Sequence, residues 1–204
     1  MAVTATGSSE SQPRRRRTPE AARQEILSAA ADLLTRRPIE ELTVATLMAH
    51  TTLSRKSFYV YFHDRVELLE ALVRPLRVEA DTTLEQWSHA DDPVAAGLAA
   101  LTAAAHTYRR HGPVLRAIFY SSSTEPDLVA LRAALVDPVV AVANRVVRHL
   151  APDLPDPTGT ASALVTMNVH VLLGLRPDTS EADVDATIDT LSTIWRRTLR
   201  VEHR

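Results

Sequence analysis

The sequence predicts an all-α protein, and three observations carry that prediction. Glycine is scarce, with five in 204 residues. Apolar residues recur at intervals of three and four, and the β-branched residues do not fall into alternating runs bounded by turn signals. A hydrophobic fraction of 45% is enough to bury a sizeable core. The absence of cysteine excludes a disulfide framework, a cysteine-based zinc site and a thiol nucleophile. No uninterrupted apolar run approaches the roughly 18–20 residues of a membrane span, and residues 1–12 carry no apolar signal core. The expectation is a cytoplasmic chain with no membrane partner.

A polar, arginine-rich segment, 1–18, cannot bury enough surface to offset its ordering entropy and reads as a disordered tail. The first helix opens with Thr18 as its cap, Pro19 at the first helical position and Glu20 in the first turn. Ile26, Ala29, Ala30, Leu33 and Leu34 share one face, and Pro38 lies beyond its end. A short second helix is capped by Thr43 and a third by Ser54. A longer helix follows over about 64–87, with a kink expected at Pro75. Beyond Pro93 the pattern predicts a helix to about His111, stopped by Gly112 and Pro113, then a short one over 114–120 and a long one over 126–150. A proline-rich connection leads to a final pair, one over roughly 160–175 and one after Ser180 with Glu181 and Asp183 in its first turn. That makes about nine helices.

Charge is uneven along this plan. Residues 1–65 hold ten Lys/Arg against seven Asp/Glu, and the remainder thirteen against eighteen, so positive charge sits at the front. Two short helices joined by about three residues beneath an amphipathic helix match the helix-turn-helix plan, in which the second helix enters the DNA major groove. That second helix includes SRKSFYVYF, residues 54–62. At about 100° per residue, Phe58 and Phe62 fall within roughly 40° of each other and face inward. Lys56, Ser57, Tyr59 and Val60 fall opposite, with Arg55 and Tyr61 at the borders. Arg and Lys suit guanine edges or phosphate, Tyr and Ser hydroxyls suit phosphate, and Val suits a thymine methyl. A solvated face with snorkelling tyrosines fits the same spacing.

The stretch LTVATLMAHTTLSRKSFYVYFHDRVELLEAL resembles the DNA-binding domain of TetR-family transcriptional regulators. The resemblance rests on Thr43, Leu53-Ser54, the run Phe58-Tyr59-Val60-Tyr61-Phe62, and Arg65. It implies an N-terminal three-helix DNA-binding domain over 19–65 and a larger helical ligand-binding and dimerisation domain over 66–204. It also implies phosphate contacts from Thr43, Tyr59, Tyr61 and Arg65, and places Ser54, Arg55, Lys56 and Ser57 at or near base edges. The arginine run 14–17 is read either as an arm along the DNA or as a solvated tail. Two positions depart from the family pattern. Thr52 stands where Gly is common, which predicts a strained or reshaped turn, and His63 stands where Pro is common.

Within the family, LLTRRPIEELTV and ALVTMNVHVLLG resemble the EthR subgroup. That likeness implies a small apolar effector and points to Asn168 as a pocket residue; an interhelical hydrogen bond is the other reading of Asn168. Trp87, Tyr108, Phe119, Met167 and Trp195 are candidates to line the pocket, though aromatics at helical spacing also serve as ordinary core. No cofactor is called for. The implied partners are a double-stranded DNA operator, the effector, and a second copy of the chain joined through the last two helices. Ala161, Leu164, Val165, Leu172, Ile188, Leu191 and Trp195 give those helices wide apolar faces for a dimer or for a core. No phosphate loop, nucleophile elbow or H-E-x-x-H motif occurs, so the reading is not an enzyme. A nucleoid-associated or protein-interaction module without an effector is the alternative, and an all-helical enzyme a more distant one.

Overall fold

Seven of eight α-helices open with a side chain that accepts a hydrogen bond from its own first turn, which satisfies one of the donors a helix start leaves unpaired. The computed structural model describes residues 18–200. Its helices are α1 (Pro19–Leu34), α2 (Val44–Met48), α3 (Arg55–Tyr61), α4 (Arg65–Ser88), α5 (Pro93–Phe119), α6 (Pro126–Leu150), α7 (Pro157–Leu172) and α8 (Glu181–Leu199), with a 3-10 turn over Ile39–Glu41. The caps are Thr18, Thr43, Ser54, Asp64, Asp92, Asp156 and Ser180; α6 follows Glu125 without one. No strand occurs among the described residues. The arginine run 14–17 lies outside them.

One expected boundary is absent. Gly112 and Pro113 do not stop a helix: α5 runs unbroken through both to Phe119. Gly and Pro inside a helix cost about 1 and 3 kcal/mol against Ala. Continuing the helix buries Val114, Leu115 and Ile118, each contributing about 1.5–3 kcal/mol, so burial outweighs propensity. Gly112 has a different task. A Cβ there would lie 2.6 Å from Arg116 Nη1 and 3.2 Å from the Leu175 carbonyl oxygen. The glycine makes room for the Arg116 guanidinium, whose Nη1 donates to the carbonyls of Leu173 at 3.0 Å and Leu175 at 2.9 Å. Gly112→Ala is therefore expected to destabilise the protein by about 1–3 kcal/mol in urea unfolding, although alanine is the better helix former. Pro75 and Pro138 also lie inside helices, α4 and α6.

The first four helices do not have a core of their own. Ile26, Leu33, Leu47, Phe58 and Phe62 belong to one buried cluster with Leu68, Leu76, Ile118, Leu131 and Leu173. A second cluster joins α4, α6, α7 and α8 around Trp87, Val147 and Val165, and a third joins α5, α7 and α8 around Leu101, Leu172 and Ile188.

The apolar residues that the sequence offered to a dimer or to a core lie inside the protomer. Ala161, Leu164, Val165, Leu172, Ile188 and Leu191 are buried, and Trp195 is half-buried against Trp87 with ring centroids 6.1 Å apart. Between them α5, α6 and α4 cover these faces. The outer side of α7 presents Ala163, Thr166, His170 and Gly174's turn, and that of α8 presents Ala182, Ala186, Thr190 and Thr193.

Candidate nucleic-acid interface and ligand cavity

Seven residues make up α3, and its two faces differ as sharply as the projection requires. Phe58 is fully buried and Phe62, the residue that ends the helix in an extended conformation, is 2% exposed. Their rings lie 5.6 Å apart, and the Arg23 guanidinium of α1 sits 5.1 Å from the Phe62 centroid. On the other side Tyr59 is 56% and Val60 73% exposed. An exposed valine beside an exposed tyrosine, on a helix anchored by two phenylalanines, leaves an apolar and hydroxyl-bearing face open to a partner. Arg55 and Lys56 are exposed at the start of the same helix. Tyr61 is half-buried against the core cluster.

Ser54 and Ser57 are tied together. Ser54 Oγ accepts from the Ser57 amide at 3.3 Å and lies 2.9 Å from Ser57 Oγ. Thr43, exposed at the start of α2, accepts from the Thr46 amide at 3.0 Å and pairs with its hydroxyl at 2.8 Å. These hydroxyls thus shape the helix starts as well as facing outward.

The turn before α3 is reshaped without strain. Thr52 does not occupy the left-handed region, where Arg200 is the sole non-glycine residue described. Its amide and hydroxyl both donate to Glu25 Oε1 of α1, at 2.6 and 2.8 Å. A glycine would lack the hydroxyl, so the threonine adds a link that orients the turn on α1. At the other departure, the His63 amide donates to Glu67 Oε2 at 2.6 Å while Asp64 caps α4 through the Glu67 amide at 2.9 Å. Proline at 63 could not make the first of these bonds.

Arg65 is engaged within the protein: its guanidinium donates to the Ile39 carbonyl at 3.3 Å and to Glu125 Oε2 at 2.5 Å. Glu125 immediately precedes α6. Beside it, Ser121 donates to Glu40 Oε1 at 2.6 Å, and this bond holds the Glu40 carboxyl below its ordinary range. The segment between α5 and α6 therefore clasps the 3-10 turn and the start of α4. No sequence signal marks this clasp, because its partners lie 60 and 81 positions apart.

Behind these elements, residues of α4, α5, α6, α7 and α8 line an apolar cavity of about 210 Å³. Trp87, Tyr108, Asn168 and Trp195 all line it, with Leu84, Leu101, Val139 and Val165 among the apolar walls. Two sequence candidates are not in the lining. Phe119 packs instead against the cluster under the first helices, and Met167 against the α5–α7–α8 cluster. Trp87 Nε1 donates to the Pro93 carbonyl at 2.9 Å, and its indole rests against Gly97, where a Cβ would lie 3.1 Å from Nε1.

Asn168 both faces the cavity and makes the interhelical bond. Its Oδ1 accepts from Trp195 Nε1 at 3.2 Å. Indole nitrogen is only a donor, so the amide orientation follows, and the Asn168 NH₂ remains to donate. Burial pushes the Tyr108 phenol up to about 12, which keeps it a neutral hydroxyl at physiological pH. A largely apolar cavity with an amide donor and a hydroxyl suits a small apolar molecule carrying one acceptor. Among the described residues no cluster of three or more metal-ligating side chains occurs, and no helix is long and apolar enough to cross a membrane.

An exposed reading helix on a helix-turn-helix, backed by a bundle with an apolar cavity, defines a DNA-binding transcriptional regulator. Residues 26–72 match the family described as bacterial regulatory proteins, tetR family. The HTH-type transcriptional regulator EthR of Mycobacterium tuberculosis is 28% identical over 218 residues, covering 99% of this chain and all of that one. Among solved structures, a TetR-family regulator from Syntrophomonas wolfei superposes with a TM-score of 0.69 at 12% identity, covering 89% of this chain and 96% of its own. NalD, the secondary repressor of the MexAB-OprM multidrug efflux pump in Pseudomonas aeruginosa, does so with a TM-score of 0.67 at 16% identity, over 85% and 96%. These structural likenesses concern the fold. The chain is thus similar to TetR-family transcriptional regulators, with the family match lying over residues 26–72.

Proposed function

We propose that the protein is a dimeric repressor that binds a palindromic operator through α3 and leaves it when a small apolar ligand fills the cavity. The observation that carries the reading is the split of α3 into a buried Phe58 and an exposed Tyr59 and Val60. Arg55, Lys56, Ser57, Tyr59 and Val60 read or grip the major groove, and Thr43, Ser54 and Tyr61 position the two short helices on the backbone. Residues 19–65 carry this part and residues 66–204 the cavity and the dimer contact. A cytoplasmic location follows from the function.

Two copies meet through the outer sides of α7 and α8. Small side chains there, Ala163, Thr166, Ala186 and Thr190, let helices approach closely, and a two-fold pair sets two reading helices roughly 34–36 Å apart, as a palindrome requires. The solution mass should be twice the 22.4 kDa of the chain.

Ligand entry acts at a distance. A molecule wedged between α4, α5 and α6 displaces them, and the clasp through Glu125–Arg65 and Ser121–Glu40 hands that movement to the DNA-binding helices; the shift is bounded by the ligand's differential affinity for the two states. The ion pair is partly exposed, with side-chain exposures of 24% and 56%, so it contributes at most about 1 kcal/mol to stability. Its value lies in coupling. The test is release of a fluorescent operator duplex by fragment-sized apolar ligands. Release should occur, should weaken for acceptor-bearing ligands in Asn168→Leu, and should decline by about 5-fold or more in Glu125→Gln at nearly unchanged stability. An operator complex indifferent to every ligand that raises the melting temperature would contradict the proposal.

A further inference from the structure

A second cleft, separate from the apolar cavity, opens where the first helices meet the end of α5. It has a volume of about 300 Å³ and is lined by residues 34–40 on one side and by Pro113, Arg116, Tyr120, Ser121 and Arg176 on the other. Four arginines, Arg36, Arg37, Arg116 and Arg176, share it with one carboxylate, Glu40. We propose that this cleft binds a small multivalent oxyanion of the phosphate class.

The charges do not cancel within the protein. Arg37 is paired with Glu41 at 3.3 Å. Glu40 accepts from Ser121 and keeps its charge. Among the described residues no carboxylate lies within ion-pair distance of Arg36, Arg116 or Arg176. Burial, and next the charge of Arg176, lower the proton affinity of Arg116; the two guanidiniums repel each other, and an anion between them would relieve that repulsion.

Arg116 is also held in place before any ligand arrives. Its Nη1 is bound to two carbonyls and seated over Gly112, which leaves Nε and Nη2 to donate from a fixed plane. Planar guanidinium forks match phosphate oxygens in bidentate fashion. The Tyr120 hydroxyl stands at the rim, with the ring 59% exposed. Capping of helix ends accounts for Arg116 alone, because Arg36 and Arg176 make no side-chain hydrogen bond among the described residues. The cleft is too polar for the apolar effector, and the two arginines that line the cavity, Arg77 and Arg196, share it with the carboxylates Glu79 and Asp81.

Inorganic pyrophosphate is the probe, titrated calorimetrically into the full-length protein at constant ionic strength set with sodium chloride. The expected result is saturable binding of one anion per protomer. Arg36→Gln and Arg176→Gln should each weaken it by about tenfold, and both side chains are exposed, so the fold should survive. Lys56→Gln, on the DNA-reading helix, should leave binding unchanged. No saturable heat up to about 10 mM pyrophosphate would overturn the proposal, as would a loss that follows Lys56→Gln instead of Arg176→Gln. Tighter binding of tricarballylate than of pyrophosphate would overturn the phosphate assignment in favour of a polycarboxylate.

Discussion

Replacing Phe58 with alanine should lower the unfolding free energy by about 3–5 kcal/mol, the cost of emptying a large, fully buried aromatic site. Phe58 has no exposed surface and belongs to the cluster that continues from the helix-turn-helix into α5, α6 and the α7–α8 connection. The cavity cannot collapse easily, since Phe62 and the neighbouring leucines are held by three other helices. A domain of this size has a net stability of about 5–15 kcal/mol, so a large share would be lost. Urea unfolding monitored by circular dichroism checks this. A change below about 1 kcal/mol would mean that α3 is not anchored through Phe58, and the separation of its two faces would fail with it.

The opposite face should respond in the opposite manner. Tyr59→Ala and Lys56→Ala remove exposed side chains, and surface changes of this kind usually alter stability by less than about 0.5 kcal/mol. Each contact to DNA is worth about 1–3 kcal/mol, so operator affinity should fall by about 5- to 150-fold for each substitution. Their signatures should also differ. If Lys56 meets phosphate, its loss reduces the slope of log affinity against log salt by about one; if it meets a guanine edge, preference at that base pair relaxes. Fluorescence anisotropy over a salt series separates the two, while equal affinity in wild type and both variants would remove α3 from the interface.

What the sequence disclosed and what it hid divide along a physical line. Local chemistry was legible. Thr18, Thr43 and Ser54 cap the helices they were expected to cap, the last helix begins after Ser180 as expected, and the 3.6-residue period alone separates Phe58 from Tyr59. Features decided by tertiary partners were not. Gly112 and Pro113 carry the local signature of a helix stop, but burial of the following turn overrides it and the glycine serves Arg116. Thr52 lacks the conformational freedom of the usual glycine, and a distant carboxylate, Glu25, supplies a different solution.

The apolar cavity lies between these cases. The likeness to the EthR subgroup, on an otherwise apolar helix, pointed to Asn168, and the large aromatics Trp87, Tyr108 and Trp195 line the same space. Phe119 has equal hydrophobicity but is directed by its helix toward another cluster. The apolar stripes of α7 and α8 were similarly ambiguous: the protomer uses most of them itself, leaving mainly small and polar residues outside, with Val171 exposed among them. The Arg65–Glu125 pair shows why a motif position does not determine a side chain's partner, since its carboxylate comes from a segment with no motif at all.

Selection of bound duplexes from a random pool, followed by competition against unrelated DNA, tests the central claim most directly. The account predicts enrichment of a two-fold symmetric site whose half-site centres are about one helical turn or a multiple of it apart, bound about 10³-fold or more tightly than random sequence at physiological salt. Equal binding to all duplexes, governed by salt alone, would contradict it and assign the positive front of the chain to non-selective packaging of DNA.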